Sequence, residues 1–198
     1  MNKWKIVLWS VLVSVISFTV LLINNGYTEV GVRLCVRLSA RISATFFAFA
    51  FMASSLHYFV GRPWTLWIMT NRKYLGISFA IIHLIHLVFL ILLQVSFHPV
   101  FELAASQSLL GGGLAYLFLV LMLATSFEKF SSGLSAWQWT LLHTVGGYWI
   151  WFIFAKSYFK RVMTEMEYLP LLVLLGIVVL LRIGKLFAVK RKAGKMRK

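Results

Sequence analysis

Six long apolar runs dominate this sequence and restrict the folds that it can adopt. They span residues 4–24, 42–61, 74–97, 108–127, 137–158 and 168–189. A helix of about 20 apolar residues crosses a hydrocarbon core of about 30 Å. Helices are preferred there because the edge of an open sheet finds no hydrogen-bond partner in lipid. The sequence therefore predicts an all-α membrane protein, a bundle of six transmembrane helices.

The charged residues agree with a membrane location. They make up 13% of the chain, against about a quarter in soluble domains. The net charge of +15 does not indicate nucleic-acid binding, because the Lys and Arg residues flank the apolar runs. With the N terminus inside, 13 of the 20 basic residues fall in inner segments, 6 in outer segments and Arg182 within a span. This bias predicts both termini in the cytoplasm and the protein in the inner (cytoplasmic) membrane.

The length allows one domain, residues 1–198, with a basic cytoplasmic tail at 190–198. The tail is expected to lie against the anionic lipid leaflet. No dinucleotide-binding glycine motif occurs, so we expect no flavin or nicotinamide domain in this chain. The lipid bilayer is the first expected partner, and nucleic acid is not expected to be one.

Three histidines lie within the apolar runs: His83 and His86 in the third and His143 in the fifth. A titratable side chain in hydrocarbon is costly and often marks a functional site. His83 and His86 are spaced i,i+3 and share a helix face. A pair of imidazoles from the third and fifth spans is suited to hold a heme iron. The alternative is that the histidines join helices by hydrogen bonds.

Other residues near these histidines are secondary candidates. Gly146 and Gly147 follow His143 by three and four residues, on the same helix face. They are expected either to form a recess for a flat macrocycle or to allow close helix packing. His57 and Arg72 are candidate accessory residues.

Two motifs precede and include these histidines. The first reads Asn71-Arg72-Lys73-Tyr74-Leu75-Gly76 and continues with Phe79, Ala80, His83 and His86. The second reads Ala124-Thr125-Ser126 and continues with Trp137, Leu142 and His143. In this order they resemble the third- and fifth-span motifs of the ferric reductase-like transmembrane domain family. The resemblance covers residues 39–161 and is greatest to short bacterial members, such as the heme-binding subunit of the methionine-sulfoxide reductase system.

The resemblance implies heme b between the third and fifth spans. His86 matches the third-span ligand by its distance from Leu75-Gly76, and His143 matches the first fifth-span ligand. The iron would then be ligated by His86 and His143, with His83 as an alternative ligand or a neighbour. Family members often have a further histidine thirteen residues after the first fifth-span ligand, where this chain has Lys156. One heme is therefore expected.

The expected function is transmembrane electron transfer through heme b. Electrons would come from quinol or a cytosolic flavoprotein and pass to an outer acceptor, with a separate redox partner protein. The chain would then be an oxidoreductase or an electron-transfer subunit. The alternative is a non-redox six-span protein, such as a small permease or an assembly factor, whose histidines hold helices together.

Overall fold

The computed structural model describes residues 3–98 and 105–195, and this part of the chain is almost entirely helical. The helices are α1 (Trp4–Asn25), α2 (Glu29–Val60), α3 (Pro63–Phe97), α4 (Ala105–Ala124), the short α5 (Glu128–Ser131), α6 (Ala136–Val162) and α7 (Leu169–Lys195). A 3-10 turn at Met166–Tyr168 precedes α7. The prediction of an all-α membrane protein is confirmed.

Local capping, rather than hydropathy, sets where the helices begin. The second apolar run was predicted from residue 42, but α2 begins at Glu29, where the Thr28 side chain accepts a hydrogen bond from the Gly31 amide. The third run was predicted from residue 74, but α3 begins at Pro63. Proline suits the first helical position because that position needs no amide hydrogen bond. Both helices therefore extend beyond their apolar segments.

Four helical segments are long and apolar enough to cross a membrane: Trp4–Asn25, Glu29–Val60, Pro63–Phe97 and Met166–Ala193. Leu110–Ala124 is a shorter apolar helix. With 27 residues, α6 is about 40 Å long, but Trp, Tyr, Gly and His lower its mean hydropathy.

Large apolar side chains cover the outside of the bundle. Ile23, Leu180 and Phe187 are 75%, 69% and 70% exposed. Monomeric soluble proteins rarely expose continuous apolar surfaces of this kind. The lipid phase supplies the apolar contacts that a soluble protein would find in its core.

Helix α2 is central: it packs on α1, α3 and α7, while α6 packs on α4 and α7. An aromatic cluster of Phe47, Phe79 and Phe154 joins α2, α3 and α6 in the middle of the bundle, with ring centroids 5.2–6.1 Å apart. At one end, which we call the Trp4 end, Trp4 contacts Tyr74 and Phe127. At the opposite end, the Tyr27 end, Tyr27 contacts Phe97.

Candidate functional site

A cavity of about 700 Å³ lies between the helices, toward the Trp4 end. Ligand sites in proteins typically enclose roughly 300–1,000 Å³. The residues that line it come from six helices, α2 to α7, and the α4–α5 connection. They are Phe47, Ala50, Phe51, Ser54, Arg72, Lys73, Gly76, Phe79, Ala80, Leu119, Met122, Leu123, Thr125, Ser126, Glu128, Ser131, Trp139, Thr140, His143, Thr144, Ile150 and Arg182.

The cavity wall combines flat apolar surfaces with positive charge. Phenylalanine and tryptophan rings form much of the apolar part, and Gly76 leaves open space because a Cβ added there would meet nothing within 4 Å. The cations are Arg72, Lys73 and Arg182, against the single carboxylate of Glu128. The wall is thus suited to a large, flat, apolar ligand that carries acidic groups.

His143 is the histidine on this wall, and its neighbours hold the ring in place. Its imidazole stacks on Trp139 with ring centroids 4.0 Å apart, and its Nε2 lies 3.1 Å from Oγ1 of Thr125. The Thr125 hydroxyl lies closer, 2.7 Å, to the carbonyl of Leu121 and donates its proton there. The Thr125 oxygen then accepts from Nε2–H of His143, which leaves a lone pair on Nδ1.

His83 and His86 form a stacked pair on α3, with ring centroids 5.0 Å apart. Nδ1 of His86 lies 3.0 Å from the Val36 carbonyl oxygen and 3.0 Å from Oγ of Ser39. Nδ1 of His83 lies 2.9 Å from Oγ of Ser43. Both histidines are thus anchored to α2 through Nδ1.

The structure does not bring His143 together with this pair. His83 contacts the ring of Phe154 at 5.2 Å, and Phe154 lies eleven residues beyond His143 on α6. That separation is about 16 Å along the helix. Two imidazole nitrogens that bind one metal ion lie about 2 Å from it, and so about 4 Å from each other. The predicted axial pair of His86 and His143 is therefore not formed in this arrangement.

The aromatic cluster of Phe47, Phe79 and Phe154 lies between the two levels. Phe79 contributes to the cavity wall and also contacts His83 at 5.5 Å. Neither His83 nor His86 lines the cavity. The bundle thus has two separate levels. One contains the cavity and His143, and the other contains His83 and His86.

The space beside Gly146 and Gly147 is filled by side chains. A Cβ added at Gly146 would lie 2.7 Å from Sδ of Met122, and one at Gly147 would lie 2.6 Å from Cε2 of Phe51. The structure thus shows close helix packing at these glycines, which was the second of the two expectations from the sequence. The open space lies beside Gly76 instead.

The accessory candidates occupy different places. Arg72 lines the cavity. His57 does not line it, and its Nδ1 lies 3.0 Å from Oγ1 of Thr65 at the α2–α3 connection. Lys156 is exposed on α6. Arg182 was missed as a site residue, although a charged residue inside a predicted span was the signal that could have found it.

The described residues include no group of three His, Cys, Asp or Glu side chains that could hold a metal ion by themselves. A heme iron does not need such a group, because the porphyrin supplies most of its ligands and the protein supplies axial ones. No protein-family model matches the chain, and no curated protein matches its sequence.

Proposed function

We propose that this protein is a membrane electron-transfer protein that binds one heme b in the cavity, with His143 as its histidine ligand. The observation that carries the proposal is the cavity itself. It is of ligand size, has flat aromatic walls, contains one histidine and carries three cationic side chains. The motifs that resemble the ferric reductase-like family add support, since they include Arg72, Thr125 and His143.

The residues around the cavity have distinct roles in this proposal. His143 ligates the iron, and its stacking on Trp139 limits rotation of the ring. The positive charge of the cavity wall would offset the charge of the heme carboxylates. Bound heme supplies one-electron transfer, and its potential depends on the axial ligand and on the burial that this apolar wall provides.

The membrane topology and the direction of electron transfer belong to the same proposal. The chain crosses the inner membrane six times, with α4 and α6 as the fourth and fifth spans, and both termini face the cytoplasm. The cavity then opens toward the cytoplasmic side, where quinol or a flavoprotein delivers electrons for an outer acceptor. A reporter fused after Lys198 tests the topology and should be active only in the cytoplasm. Activity only outside the cytoplasm would reverse the orientation.

A second candidate function has its own supporting observation. His83 bonds to Ser43, His86 to Ser39 and His143 to Thr125, so each imidazole already has a hydroxyl partner on a neighbouring segment. Histidines that only join helices would have such partners. In that case the chain is a non-redox six-span protein, such as a small permease or an assembly factor.

The absorption spectrum of the purified full-length protein separates the two functions. The heme proposal predicts a Soret band that shifts on reduction and a pyridine hemochromogen spectrum of the b type. A colourless protein from cells supplied with a heme precursor would contradict the proposal and favour the non-redox alternative.

A further inference from the structure

Arg182 is a cationic side chain placed well within a membrane-crossing helix. It lies on α7, thirteen residues beyond Leu169, and lines the cavity. Charged side chains at such depth are costly, and they usually face the protein interior and pair with an opposite charge. The structure shows what this arginine contacts and what it lacks.

The guanidinium of Arg182 is held in one orientation by α2 and α6. Nη1 donates to the Phe51 carbonyl over 2.7 Å, and Nε donates to the Tyr148 hydroxyl over 3.3 Å. The guanidinium carbon lies 3.8 Å from the centroid of the Phe51 ring. These contacts fix the position of the group without neutralising its charge.

No carboxylate pairs with Arg182 among residues 3–98 and 105–195. The ion pairs in this part of the chain join Glu29 to Arg33, Glu165 to Arg37 and Glu167 to Arg41. Nη2 of Arg182 likewise has no hydrogen-bond acceptor among these residues, and a guanidinium can bind a carboxylate through two parallel N–H groups. The free N–H groups of the Arg182 guanidinium thus match an acidic group on a ligand in the cavity.

We infer that Arg182 binds a carboxylate of the ligand in this cavity, which on the proposed function is a propionate of heme b. This inference rests on the proposed function and adds a residue that selects for acidic porphyrins. Arg182 is then a binding residue that discriminates between ligands with free and with blocked carboxylates.

Lys185 provides a matched control on the same helix. Its Nζ donates to the carbonyl of Ser54 over 3.3 Å, much as Arg182 donates to that of Phe51. Lys185 does not line the cavity. Loss of its charge should therefore leave ligand selection unchanged.

The experiment compares hemin with hemin dimethyl ester, in which both carboxylates are blocked. Full-length protein is produced in cells that cannot make heme, and each compound is titrated while the Soret band is followed. Wild type should bind hemin about tenfold or more tightly than the ester, as expected for a lost charge-assisted pair. Arg182→Gln should lose most of that preference through weaker hemin binding, Arg182→Lys should keep part of it, and Lys185→Gln should keep all of it.

The outcomes separate this inference from the proposed function. If wild type binds neither compound, both are wrong. If wild type binds both compounds equally well, or if a folded Arg182→Gln protein keeps the full preference, heme binding stands and the role of Arg182 is refuted. Equal binding of the two compounds by wild type would refute the role of Arg182 without any substitution. A wild-type preference for hemin could also come from Arg72 or Lys73 on the same wall. If Arg182→Gln does not fold, Arg182→Lys therefore decides, and a folded lysine variant that keeps the full preference would refute the role.

Discussion

Nδ1 of His86 lies 3.0 Å from the carbonyl oxygen of Val36. A carbonyl only accepts hydrogen bonds, so Nδ1 carries the proton and Nε2 of His86 keeps its lone pair. Metal-binding histidines are commonly oriented by this kind of bond to a carbonyl. At His86 the bond orients an imidazole that lies outside the cavity, so the same contact also serves to join α3 to α2.

Replacing His143 tests the proposed ligand. His143→Ala removes the imidazole that lines the cavity, so the ratio of heme to chain should fall from about one to near zero. Pyridine hemochromogen measurements against protein concentration give this ratio. His57→Ala is the matched control and should retain heme, since His57 lies outside the cavity wall. Stoichiometric heme in His143→Ala would refute the assignment, and a ratio near two in wild type would refute a single heme.

Filling the cavity should block the ligand without harming the fold. A Cβ added at Gly76 meets nothing within 4 Å, so the side chain in Gly76→Leu can occupy the cavity. Heme affinity should fall about tenfold or more because the leucine and a bound ligand would overlap. The melting temperature without heme should stay the same or rise. Gly176→Leu on α7 is the control, since that glycine is also open but does not line the cavity. Unchanged heme affinity in Gly76→Leu would place the ligand elsewhere.

Gly147→Ala should destabilise the bundle. The new Cβ would lie 2.6 Å from Cε2 of Phe51, and such overpacking costs about 1–3 kcal/mol of unfolding free energy. Thermal unfolding in detergent measures the loss. Phe51→Leu in the same chain should restore part of it by removing the clashing ring atoms. If the alanine is neutral and Phe51→Leu changes nothing, Gly147 is not a close-packing position.

The pair of His83 and His86 should matter for stability more than for heme binding. His86→Ala removes the bonds to Ser39 and Val36, and His83→Ala removes the bond to Ser43. Each interhelical hydrogen bond in a membrane contributes about 0.5–2 kcal/mol. Both variants should unfold at lower temperature yet keep one heme per chain. Loss of heme from either variant would show that the bundle rearranges around the cofactor to bring that histidine to the iron.

The sequence predicted the membrane-protein class, because hydropathy is a local property that survives in the finished fold. It was less successful with helix boundaries. The predicted second and third spans omitted the first turns of α2 and α3, which begin at Glu29 and Pro63. Capping by Thr28 and the fixed backbone angle of Pro63 decide those ends, and neither contributes to an average over apolar residues.

The sequence also picked out His143 and the histidine pair as unusual, since polar groups in apolar runs are visible without coordinates, and it made Arg72, just before the third run, an accessory candidate. The level of each histidine in the bundle could not be predicted, because it depends on how far α6 slides along α3. A shift of eleven residues, about 16 Å along α6, separates a bundle in which His83 meets His143 from the one observed, in which it meets Phe154, and the packing of Phe47, Phe79 and Phe154 sets that register.

The sequence by itself determined that these segments are helices, that their outer faces suit lipid and that a few polar groups lie among them. Tertiary structure alone decided which of those groups share a space. It placed His143 of α6 and Arg182 of α7 on the wall of one cavity, and it filled the space at Gly146 and Gly147 with side chains from α2 and α4. The physical reason is that helix formation depends on contacts within a few residues, whereas a cavity is the space left after side chains from several helices have packed.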